Sequence, residues 1–256
     1  GGTRFLGHAL VDNALVRGWE VTVLHRGLTG APPPTAEVLF ADRTDQRAMV
    51  DALGDRRWDL VVDTWSGSPR VIGENARVLL GHVDRYAYIS SGSVYQWGLH
   101  VDETSPVVAA SATSDDYSDY ASAKRGAELA VLESFPDALL ARAGLILGPR
   151  EDIGRLPWWL QRIAAGGRVV APGVPTRPLQ YVDARDIATF VLAGLAAGIS
   201  GAYDVISPSG HTTTSGLLQA CVVATGSDAE LVWIDEDRLA AAGAQPWTQL
   251  PCWVPQ

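Results

Sequence analysis

At 256 residues, 47% hydrophobic and 19% charged, the chain has enough apolar content to build one large core or two small ones. Its formal charge of −9 argues against general nucleic-acid binding, which needs a basic face, and no run of about 20 apolar residues marks a membrane-spanning helix. Two cysteines, Cys221 and Cys252, are too few for a disulfide framework or a metal site. With no signal-peptide pattern at the start, the reducing cytoplasm is the expected compartment.

The chain opens on Gly1-Gly2-Thr3-Arg4-Phe5-Leu6-Gly7, followed by apolar residues at helical spacing over 8–17 and a glycine stop at Gly18. Residues 20–25 then read as a strand by their β-branched content. Loop, helix and strand make the second half of a β-α-β unit that binds a phosphate. Gly1 and Gly7 allow close backbone approach, and the helix N-terminus faces the anion. A strand is therefore expected ahead of Gly1. The chain has no initiator Met and stops at Gln256 inside an aromatic, proline-rich stretch, and it is read as a fragment.

At the end of the second strand of such units an acid bonds the ribose 2′-hydroxyl, whereas an Arg accommodates a 2′-phosphate. Here His25 takes the acid's place and Arg26 follows it, with Arg4 as a second cation in the glycine loop. NADP(H) is the expected cofactor, with NAD as the alternative. A solvated surface Arg is the other reading of Arg26.

Alternation of strand and helix continues, as a doubly wound α/β fold requires. Strands are expected at 37–41, 60–64 and 85–95, and helices at 45–53 and 70–80. Asp42, just after a strand, suits the adenine amino group. Ser90, Ser91 and Ser93 come at the carboxyl end of a strand, where ligands of open α/β sheets bind. Ser91 there can hydrogen-bond a reacting oxygen or simply cap a turn. A loop is expected over 97–116, a strand over 139–147, a helix over 158–163, a short strand over 168–170 and a helix ending at 197. A strand at 203–206 and a helix at 212–225 follow, and the aromatic segment 247–253 packs on the body or walls a pocket. The dinucleotide-binding domain is placed at 1–150 with 180–206 returning to it. The substrate-binding part is placed at 151–179 and 207–256.

Lys124 is the one lysine in the chain, every other cationic side chain of the 20 being Arg. Tyr120 stands four residues before it, so on a helix the two share a face. A free phenol titrates near 10, too high for a base at neutral pH. A neighbouring ammonium and a helix N-terminus both favour the phenolate. Ser118 or Asp119 is a suitable N-cap and would put Tyr120 in the first turn. A drop of about 3 units corresponds to roughly 4 kcal/mol and would bring Tyr120 into working range. Such a tyrosine takes a proton from a hydroxyl, or gives one to a carbonyl, while hydride moves on the carbon.

Together these stretches resemble the extended, epimerase-like branch of the short-chain dehydrogenase/reductase superfamily. The residues that carry the resemblance are the loop at 1–7, Tyr-Ile-Ser-Ser-Gly-Ser-Val-Tyr at 88–95, the acidic-then-proline stretch 101–106, Tyr120-x-x-x-Lys124, and Gln-Tyr-Val-Asp-Ala-Arg-Asp-Ile-Ala at 180–188. The resemblance implies a Rossmann sheet and an NAD(P)-dependent epimerase or ketoreductase acting on a sugar, nucleotide-sugar or secondary-metabolite carbonyl or alcohol. It implies Tyr120 as general acid/base, Lys124 as ribose anchor that lowers the pKa of Tyr120, and Ser91 with Ser93 as substrate contacts. Residues Gly1, Thr3, Arg4, Phe5, Leu6 and Gly7 would bind the cofactor, and Arg177 matches a position that binds substrate phosphate. A surface ion pair is the other reading of Arg177. Arg4 departs from the middle glycine of the family loop. Gly92-Ser93 stands where sugar 4,6-dehydratases carry an acidic pair, which disfavours dehydration. Relatives dimerise through helices beside the Tyr, so a homodimer is expected by analogy. The competing functional class is a non-enzymatic NADP-binding sensor or RNA-binding module on the same fold.

Overall fold

The computed structural model describes residues 1–98 and 101–253. Its first elements are α1 (Phe5–Val16), β1 (Thr22–His25), β2 (Glu37–Phe40) and α2 (Gln46–Leu53). Then come β3 (Trp58–Asp63), α3 (Pro69–Leu79), β4 (Val83–Ser91), a single 3-10 turn at Gly92–Val94, and α4 (Tyr120–Leu132). The loop expected over 97–116 includes residues 99 and 100, which lie outside the described residues.

The strand expected over 139–147 is two strands, β5 (Leu139–Ala143) and β6 (Ile146–Leu147). The backbone changes partner between them: the Gly144 amide donates to the Val205 carbonyl, whereas the Leu145 carbonyl accepts from Val182. After them come α5 (Leu156–Ala164), β7 (Arg168–Pro172), β8 (Pro178–Leu179), β9 (Val182–Asp183) and α6 (Ala184–Ala197). Then follow β10 (Gly201–Val205), β11 (Thr212–Thr213), α7 (Thr214–Thr225), β12 (Glu230–Ile234) and α8 (Glu236–Ala241).

The chain divides into two compact units. The first comprises Gly1–Gly144 and Ala184–Val205; the second, Leu145–Asp183 and Ile206–Gln256. The first crossing thus falls at Gly144/Leu145 rather than at 150, because β6 pairs with β9 and not with the sheet that holds β5.

In the first unit a parallel sheet runs in the order β10-β5-β4-β3, and β1 and β2 form a separate parallel pair. Helices α3 and α4 pack together, as do α1 and α6. Strand alternation separates the two faces. Tyr86 and Tyr88 of β4 join Ile72, Ala76, Ala127 and Val131 from α3 and α4 in one buried cluster. The first unit is thus an α/β Rossmann-type domain.

The second unit has its own core of Trp159, Ile163, Val169, Leu218, Cys221 and Trp253 around the β7–β12 pair. The expected helix at 158–163 extends to Leu156–Ala164, and residues 212–213 form a strand instead of opening the helix. No described helix is long and apolar enough to cross a membrane.

Candidate active site

Asp119 caps α4, accepting the Ser122 amide at 2.8 Å, so Tyr120 is the first residue of the helix. One turn later comes Lys124. The two are exposed to very different degrees: Tyr120 is half exposed, whereas Lys124 is almost wholly buried. Both line one small cavity with Ser66, Gly67, Tyr117 and Ala123.

The Lys124 ammonium donates to the Ile89 carbonyl at 2.8 Å, to the Tyr88 hydroxyl at 3.1 Å and, at the limit of contact, to the Trp65 carbonyl at 3.5 Å. It also sits 4.7 Å from the centre of the Tyr88 ring. Burial lowers its pKa, the charges of Asp63 and Glu128 oppose the shift, and it comes to about 8.

The register of α4 on β4 explains why these groups meet. Four helical residues rise about 6 Å and two strand residues about 6.6 Å. Lys124 and Glu128, a turn apart, therefore fall opposite Tyr88 and Ser90, a pleat apart. Ser90 donates to Glu128 at 2.6 Å, one step along from the Lys124–Tyr88 contact.

Glu128 has no exposed surface and is the hub of a buried network. Arg142 of β5 holds it through two hydrogen bonds at 2.9 and 3.0 Å, and Arg125 donates a third at 2.8 Å. Arg142 also donates to the Tyr95 hydroxyl, which in turn donates to Asp204 of β10 at 2.7 Å. Burial raises the Tyr95 pKa to about 12 and raises that of Asp204 as well. A carboxylate buried this deeply is kept ionised by its guanidinium partners, and the arrangement pins α4 to the sheet.

The glycine loop has the geometry that close approach demands. Gly2 adopts φ +91°, and a Cβ on Gly7 would lie 2.7 Å from the backbone nitrogen of Gly2. Arg4 is the N-cap of α1 and makes no capping hydrogen bond through its side chain. In contrast, Asp45, Ser68, Asp119, Thr213 and Asp235 cap their helices. Thr3 shares a hydrogen bond with Thr29 at 3.1 Å, while Phe5, Leu6 and Gly7 are buried in the first turns of α1. The loop and the Tyr120–Lys124 cavity are joined by residues 64–67. A Cβ on Gly1 would lie 2.7 Å from Thr64 Oγ1, Trp65 offers its carbonyl to Lys124, and Ser66 and Gly67 line the cavity.

Other expected residues lie elsewhere in the first unit. Ser91 caps the 3-10 turn: its Oγ accepts the Ser93 amide and donates to Ser93 Oγ, both at 3.2 Å. That turn packs against α4, but neither serine lines the Tyr120–Lys124 cavity. Arg26 follows β1 and makes a loose ion pair with Asp42 at 3.7 Å, both being well exposed. Asp42 also accepts from the amide and hydroxyl of Thr44, which with the weaker pull of Arg26 lowers its pKa. His25 is buried and its Nδ1 accepts the Gly27 amide at 3.2 Å. In the second unit Arg177 pairs with Glu236 at 2.6 Å, and Glu236 accepts from the Trp253 indole as well.

Sequence reasoning missed the acceptors around Lys124, namely Tyr88 and the carbonyls of Trp65 and Ile89. It also missed Asp63, which accepts two hydrogen bonds from Arg43 at 2.9 and 2.8 Å and one from Tyr86 at 2.9 Å. A tyrosine on a buried strand beside a predicted Tyr-Lys helix was the available signal for Tyr88.

Residues 1–205 match the model of the NAD dependent epimerase/dehydratase family. Over 130 residues the chain is 35% identical to the "Probable low-salt glycan biosynthesis reductase Agl14" of Haloferax volcanii. That match covers 48% of this chain and 43% of the relative, so the chain matches under half of that protein's length. Among solved structures it resembles the Thermus thermophilus UDP-glucose 4-epimerase in complex with NAD. There the TM-score is 0.70 at 20% identity, covering 98% of this chain and 95% of that one. It also resembles the Bordetella bronchiseptica enzyme WbmG in complex with NAD and UDP, with a TM-score of 0.72 at 18% identity over 93% and 81% of the two chains. At these identities the likeness to the solved structures is one of fold.

Proposed function

The chain belongs to the NAD dependent epimerase/dehydratase family, and on that premise we propose that it is an NADP(H)-dependent oxidoreductase acting on a sugar or secondary-metabolite carbonyl or alcohol. The observation that carries this reading is the shared cavity. Tyr120 and Lys124, on successive turns of α4, open on the residues that run back to the glycine loop.

A nicotinamide cofactor, when bound, supplies the hydride donor or acceptor. The close-packed Gly1, Gly2 and Gly7 and the α1 N-terminus, whose N-cap residue Arg4 makes no side-chain capping bond, fit a pyrophosphate. Thr3 and Arg4 flank that place. Arg26, exposed after β1 where His25 replaces an acid, suits a 2′-phosphate, and Asp42 beside it suits the adenine edge. Lys124 would hold the ribose hydroxyls next to the nicotinamide, giving up its longest contact, the 3.5 Å one to Trp65. In reduction Tyr120 gives its phenolic proton to the substrate's carbonyl oxygen as that carbon is reduced; in oxidation it takes the hydroxyl proton. Ser91 and Ser93 orient the substrate from the turn beside α4.

Between the family's reactions, the Haloferax relative's name favours reduction. Gly92-Ser93 after Ser91 provides no acid/base pair for eliminating water. The test is a fluorescence titration with NADPH and NADH, followed by carbonyl substrates under consumption of the preferred one. The proposal expects tighter NADPH binding and steady oxidation of the reduced cofactor. Tighter NADH binding would contradict the role of Arg26, and no binding of either would contradict the function.

A further inference from the structure

Resting on that reading, we propose that Tyr88 is a positioning residue for the reaction: its hydroxyl fixes the Lys124 ammonium below the Tyr120 cavity. Tyr88 has no exposed surface and projects from the middle of β4. A phenol has one proton, and Tyr88 donates it to the Trp65 carbonyl at 3.1 Å. That commitment turns the oxygen's lone pairs toward Lys124, whose ammonium donates to it at 3.1 Å. An ammonium has three protons, and the three acceptors given to Lys124 are two main-chain carbonyls and this hydroxyl. Tyr88 is the one side chain among them.

The charged groups around the ammonium act at longer range. Asp63, from the end of β3, is bonded to Arg43, and Glu128, one turn along α4, is bonded to Arg142 and Arg125. Both carboxylates favour the ammonium electrostatically while their hydrogen bonds go elsewhere, and Tyr120 faces it from the first turn of α4. Arg43 adds an opposing positive charge near Tyr88. With the carboxylates so engaged, location of the ammonium falls to neutral oxygens, and removing the Tyr88 hydroxyl takes away an acceptor that binds the charged form more strongly than the neutral amine. The group then gives up its proton more easily.

Because the chain has one lysine, this is directly measurable. Protein grown on isotope-labelled lysine gives a single side-chain NMR signal, which should titrate near 8. In Tyr88→Phe, which keeps the ring and its face toward the ammonium, the midpoint should fall by about one unit. The fall of kcat/KM on the alkaline side of the pH profile should move down with it. An unchanged lysine titration in the folded variant overturns the proposal, as does a shifted titration with an unmoved pH profile. Should the Phe variant not fold, 3-fluorotyrosine at position 88 keeps the hydroxyl but weakens it as an acceptor. A smaller downward shift then supports the proposal and no shift overturns it. The titration is read without turnover. A native protein that oxidises or reduces nothing therefore contradicts the oxidoreductase reading, whereas an active enzyme with an unshifted variant contradicts the Tyr88 role alone.

Discussion

Arg4 occupies a place where the family loop carries glycine, yet its backbone sits at φ −138°, an extended conformation open to any residue. The left-handed requirement falls instead on Gly2, at +91°, and the helix entry bends through Phe5, at +30°. The departure at Arg4 therefore costs the backbone nothing. Asp63 shows a second residue-level constraint. Burial pushes its carboxyl up, but Arg43 and the hydrogen bonds from Trp65 and Tyr86 outweigh it, and the pKa comes to about 2. The folded value lies below the unfolded one near 3.9, so this group stabilises the fold above about pH 4 and the contribution is lost as the pH falls toward 2. Its size is on the order of 2 kcal/mol. Urea unfolding between pH 6 and 2, chosen to span that window, should show the native protein losing stability more steeply below pH 4 than Asp63→Asn. Parallel curves would contradict the assignment. Tyr120 and Lys124 were legible in the sequence because i and i+4 meet on any helix. Tyr88 and Asp63 were not, since on a strand they read as core and their chemistry depends on partners about 20 to 36 residues away.

The elements near the site were the most readable, because glycine stops, caps and β-branched runs punctuate the first half of the chain. Helix α1 begins at Phe5, earlier than its apolar periodicity from residue 8 suggests, since a capping side chain is the usual start signal and here there is none. Its fit to the loop predicts that Gly7→Ala, whose Cβ would meet the Gly2 nitrogen at 2.7 Å, displaces the loop. We expect at least a tenfold loss of cofactor affinity, about 1.4 kcal/mol, with far-ultraviolet circular dichroism unchanged. Full affinity in this variant would contradict the placement of the cofactor. The run 139–147 is apolar apart from Arg142 and Gly144, and a single glycine does not tell a strand that ends from one that changes partner, so the switch at Gly144 depends on neighbours far along the chain. In the second unit β12 and α8 went unread. The cue was present in Asp235, which accepts the Asp237 amide and precedes two acids in the first turn of α8.

At the scale of the whole chain, the sequence carried the α/β class, because strand–helix alternation and the Tyr-Lys helix are local signals. The substrate was beyond it. The second unit is organised by tertiary packing of Trp159, Leu218 and Trp253, and apolar side chains in short elements say little about what they face. The family model likewise ends at residue 205. What unites the molecule functionally is the claim that one phenol moves the proton while a buried ammonium stands beneath it. Tyr120→Phe removes only that hydroxyl from a half-exposed side chain, so cofactor binding should stay within about twofold while kcat with a carbonyl substrate falls by roughly 100-fold or more. Turnover at the native rate in Tyr120→Phe, with cofactor still bound, would contradict the account.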